Sequence, residues 1–281
     1  MELTRIGQFT LQWGESLVWD DRRARLYFVD TTANTIHWLE HDSEDLQGMH
    51  VPSMPTGLVP TADGALIVVL YDGLYVVDPD RETVELLTGV PPEIDGRCND
   101  LCADLDGNLI TGKLNLAEGA EGSAWWYSPV HGWRLIDQDI STTNGPAVAR
   151  LDGVMTLIIG DTAAHYYAYP YEPSTGAVGA RKIFGDVSDL DGGPDGSTMD
   201  RDGGLWCALF GGGQIVRFTV GGLDRQIPLP VTYPTDVTFG GPDLDLLYVV
   251  SISGDDDLSG ALLRIDGLGA VGRPEPRFRS G

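Results

Sequence analysis

The chain has 281 residues, of which 42% are hydrophobic, 37 are Gly and 17 are Pro, and its net charge is −24 from 18 Lys plus Arg against 42 Asp plus Glu. That length allows one or two domains, or one large all-β domain, and Gly and Pro between short apolar runs favour strands and hairpins over long helices. The acidic balance repels phosphate backbones and argues against a nucleic-acid partner; it describes a well-solvated surface with cation sites, a composition that also suits high salt.

The opening "MELTRIGQFTLQWGE" has no basic segment followed by an apolar one, so no signal peptide is expected. No apolar run approaches about 18 residues, so no membrane span is expected. "RIGQFTLQW" reads as a strand that pairs with the last unit of the chain. Further on, Asp-containing turns recur. They lie near Asp21 in "DDRRARLYFVD", Asp63 in "TADGALIVVL", Asp106 in "DLDGNLITG", Asp152 in "RLDGVMTLIIG", Asp202 in "DRDGGLWCAL" and Asp243 in "GPDLDLLYVV", at spacings of 42, 43, 46, 50 and 41 residues. Each turn is followed by an apolar strand and then by another, such as "TIHWLEHD", "GLYVVDPD", "SAWWYSP" or "GQIVRFTV".

Six units of roughly 40 to 50 residues with several strands each predict an all-β, six-bladed β-propeller spanning residues 1–281 as one domain. Asp-Gly suits the repeated turns because both residues tolerate positive φ. "DRDGG" lacks the third oxygen ligand and the closing Glu of an EF-hand loop, so Asp200 and Asp202 read as turn residues that bind no ligand. Cys98, Cys102 and Cys207 read as reduced, partly buried thiols of a cytoplasmic protein. Trp125, Trp126 and Tyr127 read as blade packing, and "FGGGQ" as a hairpin turn.

The innermost strands of a propeller run in one direction, so their starts ring one mouth of the channel. Counting back about seven residues from each turn gives Glu15, Asn99, Asn144 and Asp195 in blades one, three, four and five, Thr235 or Asp236 in blade six, and Thr56 or Gly57 in blade two. Carboxylates and amides from at least four blades therefore meet at one end. An oxygen-only set of this kind suits one hard divalent cation such as Ca²⁺, Mg²⁺ or Mn²⁺. No His or Cys occupies an equivalent slot, which argues against a dedicated zinc site, although Zn²⁺ binds such sites opportunistically. No GxSxG motif or His-based triad competes.

The stretches "GESLVWDDRRARLYFVD", "GRCNDLCADLDGNLITG", "TTNGPAVA", "GGPDGSTMDRDGGLWCALFGGGQIVRF" and "PTDVTFGGPDLDLLYVVS" resemble, in order and over almost the whole length, the gluconolactonase, regucalcin (senescence marker protein) and luciferin-regenerating enzyme family of six-bladed propellers. The resemblance implies that Glu15, Asn144 and Asp195 bind one divalent metal, and that Asn99 contacts the metal or the substrate. It implies that Arg97 contacts the substrate, and Asp100 is expected to anchor its strand start, with a role in the site as the alternative. Leu17, Pro146 and the "TGKLN" stretch depart from the family pattern and put Lys113 and Asn115 near the mouth. Glu118 and Glu121 lie near a family substrate-binding Glu without a secure alignment.

The implied activity is metal-dependent hydrolysis of a small-molecule sugar lactone to the aldonic acid, with the cation polarising the lactone carbonyl and Asp195 as general base. Ca²⁺ is the first expectation, with Mg²⁺, Mn²⁺ or Zn²⁺ as alternatives. The competing readings are a related metal-dependent esterase or phosphotriesterase and a non-catalytic Ca²⁺- or ligand-binding propeller. A monomer or small homo-oligomer, without nucleic-acid or membrane partners, is expected.

Overall fold

A computed structural model describes residues 1–94, 97–113, 122–163 and 165–280. Asn115, Glu118 and Glu121 lie outside the described residues. Six antiparallel sheets follow one another along the chain as the blades of a propeller. Their innermost strands are Gly14–Asp20, Gly57–Pro60, Cys98–Ala103, Thr143–Leu151, Gly193–Met199 and Pro234–Gly240. In every blade the second strand returns antiparallel through the predicted turn.

The ring closes where expected but with a different segment. Blade six takes its fourth strand from Glu2–Ile6, paired with Leu262–Asp266. The strand sits N-terminal to the "RIGQFTLQW" reading, because Gly7 adopts a positive φ and the backbone carbonyls of Gly7 and Phe9 bind the Arg5 guanidinium. Trp13 makes only an isolated bridge to Ile252.

Successive side chains of a strand point to opposite faces, and in a ring both faces of a blade are covered by neighbours. Strands such as Leu66–Leu70 and Leu205–Phe210 are accordingly almost wholly buried. One apolar cluster fills each interface. Val18, Tyr27 and Val29 meet Leu58, Leu66 and Val68 between blades one and two, and Ile110, Ala124 and Trp126 meet Leu157, Ile159 and Tyr171 between blades three and four. Trp125, Trp126 and Tyr127 are buried packing residues, as the sequence implied. Cys98 and Cys207 are buried, Cys102 is partly exposed, and all three thiols are free. Among the described residues no helix is long and apolar enough to cross a membrane.

The turn acids divide into two kinds. Asp202 and Asp106 are exposed. Asp200 is buried, and its role is larger than the turn chemistry expected of it. It accepts from the Asp202 and Gly204 amides, from Trp206 Nε1 at 2.8 Å and from Arg217 Nε at 2.6 Å. Asp104 repeats the arrangement in blade three. It takes the Asp106 and Asn108 amides and the Tyr171 hydroxyl of blade four at 2.5 Å, while Asn108 Nδ2 donates to the Pro173 carbonyl.

Removing Asp104 leaves several buried donors without a partner, so Asp104→Ala is expected to lower the unfolding free energy by about 3 kcal/mol. Asp202→Ala, at the exposed turn position, is expected to stay within about 0.5 kcal/mol of the parent. Urea unfolding of the two variants checks the contrast.

Candidate active site at the channel mouth

A regular inner strand directs its side chains into the two neighbouring blades and not toward the axis. Five of the six inner strands break that rule near their starts. Their ladders shift register between Glu15 and Val18, Asn99 and Leu101, Asn144 and Ala147, Pro194 and Ser197, and Pro234 and Asp236. Ser16, Asp100 and Gly145 take φ values of 53°, 54° and 48° at three of these bulges. A bulge re-aims the adjacent side chains. Blade two pairs without a break from Gly57 to Pro60, and it is the blade whose slot offers only Thr56 or Gly57.

The side chains beside the bulges meet. Asn99 Nδ2 donates to the Thr143 carbonyl at 3.0 Å and, in a short contact, to Asn144 Oδ1. Asn144 Nδ2 donates to Thr162 Oγ1 at 2.6 Å and to the Pro194 carbonyl at 3.4 Å, which fixes the orientation of its amide. Trp13 Nε1 donates to Glu15 Oε1 at 2.9 Å. Asp195 is held through its backbone: the Tyr166 hydroxyl donates to its carbonyl at 2.6 Å and accepts from its amide at 3.1 Å.

Two more acids complete the ring. Asp100 accepts from the Leu101 and Gly145 amides at 2.8 and 2.7 Å. Asp236 accepts from the Val237 and Leu17 amides at 2.7 and 2.5 Å. Each carboxylate thus caps its own bulge with one oxygen and clasps the next blade's inner strand with the other. This is the strand-anchoring role expected of Asp100, now seen in Asp236 as well. Gly196 is needed beside Asp236, since a Cβ there would overlap the carboxylate.

Burial raises the proton affinity of all four acids. Glu15 is pushed up to about 8 by burial, against the Trp13 hydrogen bond, and further by the Asp100 charge. Asp100 is pushed up to about 6 by burial, opposed by its two amide bonds. Asp195 lies well above the usual carboxylate range through burial and the charges of Glu15, Asp100 and Asp236, and Asp236 does so through burial and the charges of Asp100 and Glu15.

The cluster is rich in oxygen, and among the described residues no ion pair joins these acids to a basic side chain. Asp100 and Asp236 have both oxygens engaged by amides, whereas Glu15 has one side-chain partner and Asp195 is held mainly through its backbone. The remaining donors, Glu15, Asp195 and the amide oxygens of Asn99 and Asn144, have the chemistry of a hard divalent-cation site. Among the described residues no three His, Cys, Asp or Glu side chains form a ligand cluster, so a ligand set here needs the amides. Arg97 lies just before the inner strand of blade three. Its Nη2 approaches Met54 Sδ at 3.0 Å, and its buried Nε has no hydrogen-bond partner among the described residues.

Of the residues that the sequence phase offered, Asn99 and Asn144 are in contact, and Asp195 feels the charges of Glu15 and Asp236. The phase gave no sign of Trp13, Thr162 or Tyr166. Thr162 lies beyond the second strand of blade four and Tyr166 on the third, so neither has an inner-strand phase to betray it.

The raised acids set the sign of a pH dependence. Folded Glu15 holds its proton more tightly than the unfolded chain does, so stability is full below about 4.5 and is lost as pH rises through about 8. In chelator, unfolding free energy is expected to fall between pH 5 and pH 8.5, with a shallower fall in Glu15→Gln. A parent slope equal to that of the variant would contradict this account.

Comparison with known proteins gives a consistent picture. Residues 13–253 match the family model described as SMP-30/Gluconolactonase/LRE-like region. The chain is 31% identical over 295 residues to the pentonolactonase XacC of Haloferax volcanii, covering 100% of this chain and 98% of that one. It is 30% identical over 244 residues to a 6-deoxy-6-sulfogluconolactonase of Pseudomonas putida, covering 85% and 82%. The crystal structure of a calcium-binding protein, regucalcin, from Agrobacterium tumefaciens superposes with a TM-score of 0.88 at 25% identity, covering 98% and 96%. With its bulged inner strands and its acid and amide mouth, the chain belongs to the SMP-30/gluconolactonase/LRE-like family.

Proposed function

We propose that this chain is a lactone hydrolase that opens a sugar lactone to the aldonic acid at the channel mouth. The observation that carries the proposal is the convergence of half-buried Glu15 and buried Asp195 with Asn99 and Asn144, with no ion pair to either acid among the described residues. Relatives named as pentonolactonase and sulfogluconolactonase support the substrate class. The regucalcin relative, described as calcium-binding, supports a divalent cation, with Ca²⁺ first.

On this reading Glu15, Asn144 and Asp195 hold the cation, and Asn99 completes the set or contacts the substrate. A divalent cation bound there supplies Lewis-acid polarisation of the ester carbonyl. The residues do the rest. Arg97 would bind a substrate hydroxyl or the ring oxygen and orient the ester. Asp195 takes the proton of the attacking water at a carboxylate oxygen. Its acidic neighbours and burial raise its basicity, opposing the weakening that cation ligation brings. Tyr166 locks the Asp195 backbone from behind, and Trp13 and Thr162 set the Glu15 carboxylate and the Asn144 amide.

Acid release from a panel of aldonolactones, with Ca²⁺ and with chelator, tests the proposal. Wild type is expected to hydrolyse at least one lactone, with activity lost on chelation and regained with Ca²⁺. Asp195→Asn is expected to lower kcat/KM by about 10³-fold. Wild type that binds Ca²⁺ tightly yet opens no lactone would sink the hydrolase reading and favour a ligand-binding propeller. Tyr166→Phe removes both backbone contacts of Asp195 and is expected to lower kcat by about tenfold with little change in KM.

A further inference from the structure

The segment after the last strand of blade six crosses the far end of the channel. Gly272 donates to the Leu244 carbonyl of blade six at 2.7 Å, and the Val271 carbonyl accepts from Arg201 of blade five at 2.8 Å. Six residues later the chain is on the opposite side of the ring. There Phe278 donates to the Pro60 carbonyl at 3.0 Å and accepts from the Ala62 amide at 2.9 Å in blade two. Its ring is buried in the apolar cluster between blades two and three. Six extended residues span about 20 Å, so this stretch runs across the axis as a strap.

Two charged side chains of the strap reach inward. Arg273 Nη2 donates to the Val148 carbonyl on the inner strand of blade four, and Glu275 Oε1 accepts from Thr198 Oγ1 at 3.0 Å on the inner strand of blade five. Burial pushes the Glu275 carboxyl up and the Arg273 guanidinium down, each opposed by the other's charge. Sealing the channel needs only apolar bulk, which carries no desolvation cost. A charged pair costs more, and its return is direction: it bonds to chosen points on two chosen strands.

Those points are informative. Val148 lies four residues beyond Asn144 and Thr198 three beyond Asp195, and on each strand a bulge separates the two. A bulge is where a strand changes register most easily, so a strand held only on its mouth side of the bulge leaves the site residue poorly fixed.

We propose that Arg273 and Glu275 are positioning residues, and that the strap pins the inner strands of blades four and five beyond their bulges so that Asn144 and Asp195 keep their places at the mouth. The consequence for turnover rests on the site reading given above, whereas the mechanical consequence does not.

Hydrogen exchange of the full chain, read by mass spectrometry, tests the strap directly. Glu275→Leu is expected to speed exchange of Gly193–Met199 by about tenfold, and Arg273→Met that of Thr143–Leu151, with Gly14–Asp20 and Gly57–Pro60 unchanged. Glu275→Gln, whose amide oxygen still accepts from Thr198, is expected to keep wild-type exchange. Unchanged exchange in the targeted strands, equal acceleration in all six inner strands, or a Gln variant that behaves like Leu would each overturn the proposal. Phe278→Ala, which frees the far anchor, gives the same reading on both strands if the Leu variant does not fold. In lactone assays kcat is expected to fall about tenfold in Glu275→Leu while KM moves little, and to recover in Glu275→Gln. Wild type inactive on every lactone would defeat the hydrolase proposal and leave the strap to be decided by exchange.

Discussion

The mouth of this propeller depends on one backbone device, the bulge near the start of an inner strand. Without it a strand's side chains serve only the interfaces between blades, and the channel would be lined by backbone. With it, side chains beside the bulge are re-aimed, and in three of the five bulged blades a neighbouring side chain secures the distortion. Asp100 and Asp236 secure it with carboxylates that also reach the neighbouring blade, and Ser16 does so with a hydroxyl that accepts from the Leu58 amide at 2.7 Å. A hydrogen bond of this kind contributes about 1 kcal/mol net. Each clasp therefore ties adjacent blades at the same point where it shapes the site.

The same device concentrates negative charge. Four carboxylates lie where burial favours the neutral acid, and for Glu15, Asp195 and Asp236 the charges of neighbouring acids add to it. Two of them are satisfied by backbone amides and serve the scaffold. Among the described residues Glu15 accepts from Trp13, and the Asp195 carboxylate has the Gly196 amide. The division of labour follows from reach: Asp100 and Asp236 sit within range of their own bulge and the next strand, whereas among the described residues Glu15 accepts from Trp13 and Asp195 is gripped through its main chain by Tyr166.

A site assembled from separate blades is only as well defined as the spacing of those blades. Six apolar interfaces set the coarse spacing, because packed side chains resist compression. Polar ties refine it at three levels: the bulge clasps at the mouth, the Asp104 anchor that reaches Tyr171 from the inner turn of blade three, and the strap across the far end. The strap also touches blade one, where Arg277 pairs with Asp20 and Asp21 at 2.5 Å, and blade three, where the Arg279 amide donates to the Gly107 carbonyl at 3.1 Å. One short segment thereby contacts every blade of the ring.

The repeated Asp turns and alternating apolar runs made the six blades legible in the sequence, because strand periodicity and turn chemistry are local properties. The same periodicity, counted back from each turn, singled out Glu15, Asn99, Asn144 and Asp195. Which of those residues face the axis was a tertiary decision. It rests on bulges that residue type does not announce, as the unbroken inner strand of blade two shows beside its five bulged neighbours. Trp13, Thr162 and Tyr166 were equally hidden, since they act on the site from positions outside the inner-strand phase. The partners of Arg273 and Glu275 lie 125 and 77 residues away along the chain, and contacts at that separation exist only once the ring has closed.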